Sequence, residues 1–79
     1  MNVKSKVSAS EFADLEAVGR RIRQTRGFDL TQEDFAQQLG ISQSQLSKYE
    51  RGLALPAGDV LLRMKRKFRI SVDWLLTGE

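Results

Sequence analysis

The run from Thr31 to Gly52, TQEDFAQQLGISQSQLSKYERG, places two helical patterns almost end to end. Thr31 is placed as an N-cap, Phe35, Ala36 and Leu39 share one helical face, and Gly40 stops the pattern. Two residues later Ser42 stands as a second N-cap, with Gln45 at the capping-box position, ahead of the inward residues Leu46 and Tyr49 and a stop at Gly52. Helices this short, joined through so tight a link, have no room to turn back antiparallel, so they must cross at a steep angle. The stretch is a helix-turn-helix, and the rest of the chain has to supply the core against which it packs.

That remainder reads as three more helices. Ser8 and Glu11 form a capping box, and Phe12, Leu15, Gly19 and Ile22 follow at steps of three and four until Gly27 ends the helix. Residues 1–7 have no periodicity and read as a flexible N-terminal arm. After the LALP loop, Pro56 suits the start of a fourth helix whose inward side is Val60, Leu61, Met64 and Phe68. Ser71 caps a last short helix, VDWLLT, that ends at Gly78. No segment alternates with a period of two, so the fold expected is all-α: five helices in a single domain over residues 8–79.

A chain of 79 residues has one small core to hold it together, and with no cysteine no disulfide can help. The absence of cysteine and histidine also removes the usual zinc ligands and the usual neutral-pH general base. The sequence thus argues against an enzyme and calls for no cofactor and no metal. The apolar runs are far shorter than a membrane span requires, and the N-terminus has no apolar signal segment, which points to a cytoplasmic protein. Net charge is +3, and nine of the thirteen basic residues fall in RRIRQTR and RMKRKFR. By charge alone these segments read as solvated helix faces.

The third helix is more specific. With Leu46 and Tyr49 inward and Glu50 beside them, the outward stripe is Gln43, Ser44, Ser47, Lys48 and Arg51, and it contains no acid. A glutamine can pair with adenine through N6 and N7, a lysine can donate to guanine O6 and N7, and a serine can serve either base, so the stripe has the chemistry of a major-groove reading face. Gln32 opens the second helix, where free amides and the positive dipole end suit a phosphate. On this division, loss of Gln32 weakens all sequences alike, whereas loss of Gln43 or Lys48 relaxes the preference at particular base pairs.

Leu30-Thr31-Gln32, Ala36, Gly40, Ser42-Gln43-Ser44, Leu46-Ser47 and Tyr49-Glu50-Arg51-Gly52, followed by SVDWLLTGE, resemble the lambda-repressor-like helix-turn-helix family, also called the XRE or Cro type. The resemblance covers nearly the whole chain. It implies a five-helix domain that binds double-stranded operator DNA, usually as a homodimer, with the third helix in the major groove. Carried over by position, Thr31 and Gln32 fall at the phosphate-contacting helix start, Gln43, Ser44, Ser47 and Lys48 at base-reading positions, and Arg51 at a backbone contact. Glu50 matches an acidic residue often paired with a first-helix arginine, for which Arg26 or Arg23 is the candidate. Three departures stand out: the link RGFDLTQ is longer than the commoner RGLTQ, Arg69 stands where a glycine is frequent, and RGLALP lacks the basic residues of many relatives.

The function these features imply is transcription regulation, with repression by operator occupancy as the leading form. The same fold also serves protein-interaction modules, such as an antitoxin or a bridging factor. One reading helix covers too few base pairs to single out a site, so two copies are expected on DNA. The last helix, with Val72, Leu75 and Leu76, is the expected contact between them.

Overall fold

A computed structural model describes residues 14–79, and within them all regular structure is helical. The elements are α1 (Leu15–Arg26), α2 (Gln32–Leu39), α3 (Gln43–Glu50), α4 (Gly58–Phe68) and α5 (Val72–Thr77). The N-terminal arm, the Ser8–Glu11 capping box and Phe12 lie outside the described residues. No described helix is long and apolar enough to cross a membrane.

Local chemistry sets most of the boundaries. The hydroxyls of Thr31, Ser42 and Ser71 accept hydrogen bonds from the amides three residues on, those of Asp34, Gln45 and Trp74, at 3.0, 3.0 and 3.1 Å. Each satisfies an amide that the helix itself leaves free, a contribution of about 1 kcal/mol per cap. The start of α1 differs from expectation. Its cap is Asp14, whose carboxylate accepts from the Glu16 and Ala17 amides at 3.1 and 3.2 Å. Pro56 is also displaced from its expected place. It is buried two residues upstream of α4, and Ala57, in extended conformation, is the N-cap without a side-chain bond. The fixed φ of proline fits an extended link as well as a helix start, so the residue type alone does not place the boundary.

The core is built where all five helices meet. Phe35, Ile22, Leu39, Leu46, Met64, Leu75 and Val18 are fully buried, and burial contributes about 2 kcal/mol for each large apolar side chain. Phe68 closes one side, its ring set edge-on to Phe35 with centroids 4.8 Å apart. Two arginines tie helix ends together. Arg63 Nη1 donates to the Leu39 carbonyl at 2.9 Å, capping α2, and Arg21 Nη1 donates to the Leu75 carbonyl at 3.1 Å, joining α1 to α5.

The approach of α1 to α3 fixes the position of the third helix. A Cβ added at Gly19 would lie 2.5 Å from the Glu50 carbonyl oxygen and 2.8 Å from that of Tyr49. No side chain larger than hydrogen fits there without moving backbone. Between α2 and α3, Gly40 takes a left-handed conformation (φ 72°, ψ 28°) and its amide donates to the α2 carbonyls, so the chain turns within three residues into Ser42. Leu75 is fully buried, because three adjacent apolar residues on a helix of six cannot all face outward. It is therefore removed from the expected contact between copies, leaving Val72 and Leu76, which are half-buried.

Candidate nucleic-acid interface

The outward stripe of α3 emerges where the spacing placed it. Gln43, Ser44, Lys48 and Arg51 are exposed and Ser47 is half-buried, while Leu46, Tyr49 and Glu50 are buried. There is no acidic residue in the first turn of α3, and its one carboxylate, Glu50, faces inward. Arg51 follows the helix as its C-cap, and its guanidinium Nε donates to the Ser47 carbonyl at 3.4 Å.

Glu50 is the hub beneath this face. Arg26 binds it with two parallel hydrogen bonds, Nε to Oε2 at 2.8 Å and Nη2 to Oε1 at 3.0 Å. The side chain of Glu50 retains only 3% of its exposure and that of Arg26 16%, so the pair is largely removed from water. Forked geometry of this kind, with both carboxylate oxygens bonded, offsets part of the cost of taking two charges out of water. Arg26 also donates through Nη1 to the Leu30 carbonyl at 3.2 Å, which fixes the link between α1 and α2. Of the two arginines weighed from the sequence, Arg26 makes the pair and Arg23 is exposed.

The network continues outward. Gln32 Nε2 donates to Glu50 Oε1 at 3.0 Å, and Gln43 Nε2 donates to Gln32 Oε1 at a longer 3.4 Å. The first residue of α2 and the first residue of α3 are thereby linked side chain to side chain. Sequence spacing gave no sign of this bond, since the two glutamines stand on different helices. Through this bond Gln32 and Gln43 are coupled, so a change at one alters the surroundings of the other. Among the described residues the amides of Gln32 and Glu33 have no partner, as the start of a helix leaves them, and Thr31 Oγ1 takes the next one.

Residues 20–75 match the helix-turn-helix family HTH_3, which covers more than two thirds of the chain. The chain belongs to the lambda-repressor-like helix-turn-helix family. This helix-turn-helix domain is 42% identical over 67 residues to the HTH-type transcriptional regulator YazB of Bacillus subtilis, a stretch covering 84% of the chain and 97% of that protein. It is 38% identical over 60 residues to the HTH-type transcriptional activator BcrR of Enterococcus faecalis and 35% identical over 63 residues to the regulator ImmR of Bacillus subtilis. Those alignments take in 75% and 76% of this chain but only 29% and 48% of the two relatives. Among solved structures, the P22 c2 repressor in complex with a synthetic operator superposes with a TM-score of 0.72 at 32% identity, covering 78% of this chain and 96% of that one. The restriction-modification controller protein C.AhdI of Aeromonas hydrophila does so with a TM-score of 0.69 at 28% identity, over 80% and 97%.

Proposed function

We propose that this chain binds double-stranded DNA sequence-specifically and regulates transcription in the cytoplasm, as a repressor that occupies its operator with α3 in the major groove. The observation that carries the reading is the hydrogen-bonded chain Arg26–Glu50–Gln32–Gln43. It holds the start of α2, with its free amides, in a fixed relation to the exposed Gln43, Ser44 and Lys48. A phosphate seated on the α2 amides and Gln32 then sets the depth and register of α3 in the groove. Gln43 spends one amide hydrogen on Gln32 and keeps Oε1 and the other hydrogen, the pair that an adenine edge requires. Lys48 supplies the donor for a guanine, and Arg51 a cation for the backbone at the far end of the helix. The P22 c2 repressor, solved on a synthetic operator, shares the fold that makes this placement possible.

Two copies on a two-fold symmetric operator complete the proposal, because one such face contacts only a few base pairs. Val72 and Leu76 remain the proposed contact on α5, and Leu53 and Leu55, exposed in the loop after α3, are further apolar surface that pairing would cover. The alternative of a dedicated protein-interaction module would be favoured by large exposed apolar residues on the last helix. Those described as exposed are instead Phe28, Leu53, Leu55 and Leu62.

Alanine substitution tests the reading. Gln43→Ala and Lys48→Ala each lose about 1 to 3 kcal/mol of discrimination at separate base pairs. Gln32→Ala weakens every sequence and, through its bond to Gln43, also blurs the preference at the base pair that Gln43 reads. If Lys48→Ala and Gln43→Ala left sequence preference unchanged, α3 would not be the reading element.

A further inference from the structure

Beside the proposed interface lies a half-open hollow of about 700 Å³ lined by Arg20, Arg23, Gln24, Arg26, Phe28 and Leu30, together with Gly27. Arg20, Arg23 and Arg26 stand three residues apart on α1, a step of about 4.5 Å along the axis that keeps neighbouring side chains close. Arg20 and Arg23 are exposed, and among the described residues neither has a carboxylate partner. Phe28 is fully exposed at the tip of the long link between α1 and α2. Asp29, next in sequence, does not line the hollow. The guanidinium row and the exposed ring adjoin the Gln32 seat through Arg26, which bonds both Glu50 and the Leu30 carbonyl.

We infer that this hollow is a second DNA contact, which takes the sugar-phosphate backbone flanking the half-site that α3 reads. This rests on the function proposed above and adds to it a seat outside the read base pairs. Arg20 and Arg23 neutralise consecutive phosphates of one strand, and the Phe28 ring lies on the apolar face of the intervening deoxyribose. Continuity with the Gln32 seat and the positive charge favour DNA over an acidic protein segment. The contact carries no base information, so it extends the footprint and the affinity without altering the preferred sequence.

The test compares the full chain with the double variant Arg20→Gln/Arg23→Gln and with Phe28→Ala, on a duplex ending flush with the selected site and on one extended by a helical turn at each end. The wild type is expected to bind the extended duplex about tenfold more tightly, with a log-affinity against log-salt slope steeper by about 2 per subunit. The double variant should bind the flush duplex as the wild type does, which also reports its folding, and gain nothing from the extension. Phe28→Ala should lose part of the gain and keep the slope. An equal gain in wild type and double variant overturns the inference while leaving DNA binding intact. So does no gain in either together with a Glu-rich peptide held by the wild type and not by the variant, which would assign the hollow to a protein partner. Failure of the wild type to bind either duplex would overturn both the inference and the function on which it rests.

Discussion

Removing the negative charge of Glu50 while keeping its shape, as in Glu50→Gln, leaves the Arg26 guanidinium mostly buried without a counter-ion and takes the strongest acceptor from Gln32. The expected loss is about 3 kcal/mol of folding stability, measured by urea unfolding, because breaking one side of a buried pair exposes the cost of the other. Glu50→Leu combined with Arg26→Met should recover much of that loss without restoring DNA affinity, since Gln32 then has no acceptor at position 50. An unchanged unfolding midpoint in the single variant would contradict the structural role given to the pair. The inward position of Glu50 was legible in the sequence, because a carboxylate on the same helix as Gln43 and Lys48 had to face away from phosphates. Its partner Arg26 was put forward by the family resemblance and not by any spacing. Arg23 and Arg26 stand one turn apart, and which of them reaches Glu50 depends on the path of the link through Phe28 and Asp29, a tertiary property with no local pattern. The bond between Gln32 and Gln43 was hidden for the same reason.

The helices themselves were legible wherever a cap and a stop lie within a few residues of the apolar pattern they bound. Thr31, Ser42 and Ser71 each bond the third amide onward, and the intervening turn at Gly40 is as local as the caps. The start of α1 fails this test, because Ser8 and Glu11 present a capping box while Asp14 does the capping of the helix that is described. In α5 the helix is too short for periodicity to choose among Val72, Leu75 and Leu76, and packing against α1 and α4 decides for Leu75. Two substitutions probe the elements. Gly19→Ala should destabilise the protein by about 1 to 3 kcal/mol despite the better helix propensity of alanine, as the new Cβ pushes α3 away from α1. A rise in melting temperature would mean that the two helices do not touch as described. Arg69, the C-cap of α4, holds a left-handed conformation (φ 57°, ψ 38°) that L side chains adopt at a cost. Arg69→Gly should therefore stabilise by about 1 kcal/mol, read as a higher unfolding midpoint; a lower midpoint would mean that the arginine side chain contributes more than its backbone strain takes away.

At the scale of the whole molecule, four helices and a buried ion pair serve to present one short helix and one helix start at a fixed spacing. The division of labour is visible in the charge. Glu50 is spent inside on Arg26, while Arg20, Arg23, Lys48 and Arg51 stay exposed. Leu75 shows how little the core can spare: it is completely buried, so Leu75→Ala is a folding defect, and a change confined to pairing has to be sought at Leu76, Val72, Leu53 or Leu55. Whether this face reads duplex DNA as a symmetric pair is measured by selecting bound sites from random duplexes with the full chain. The selection is expected to enrich a two-fold symmetric sequence whose half-sites lie about 34 Å apart, one turn of the duplex, with a preferred adenine or guanine in each half that is lost in Gln43→Ala or Lys48→Ala. Recovery of no sequence above background, or of one that both variants select unchanged, would contradict this reading.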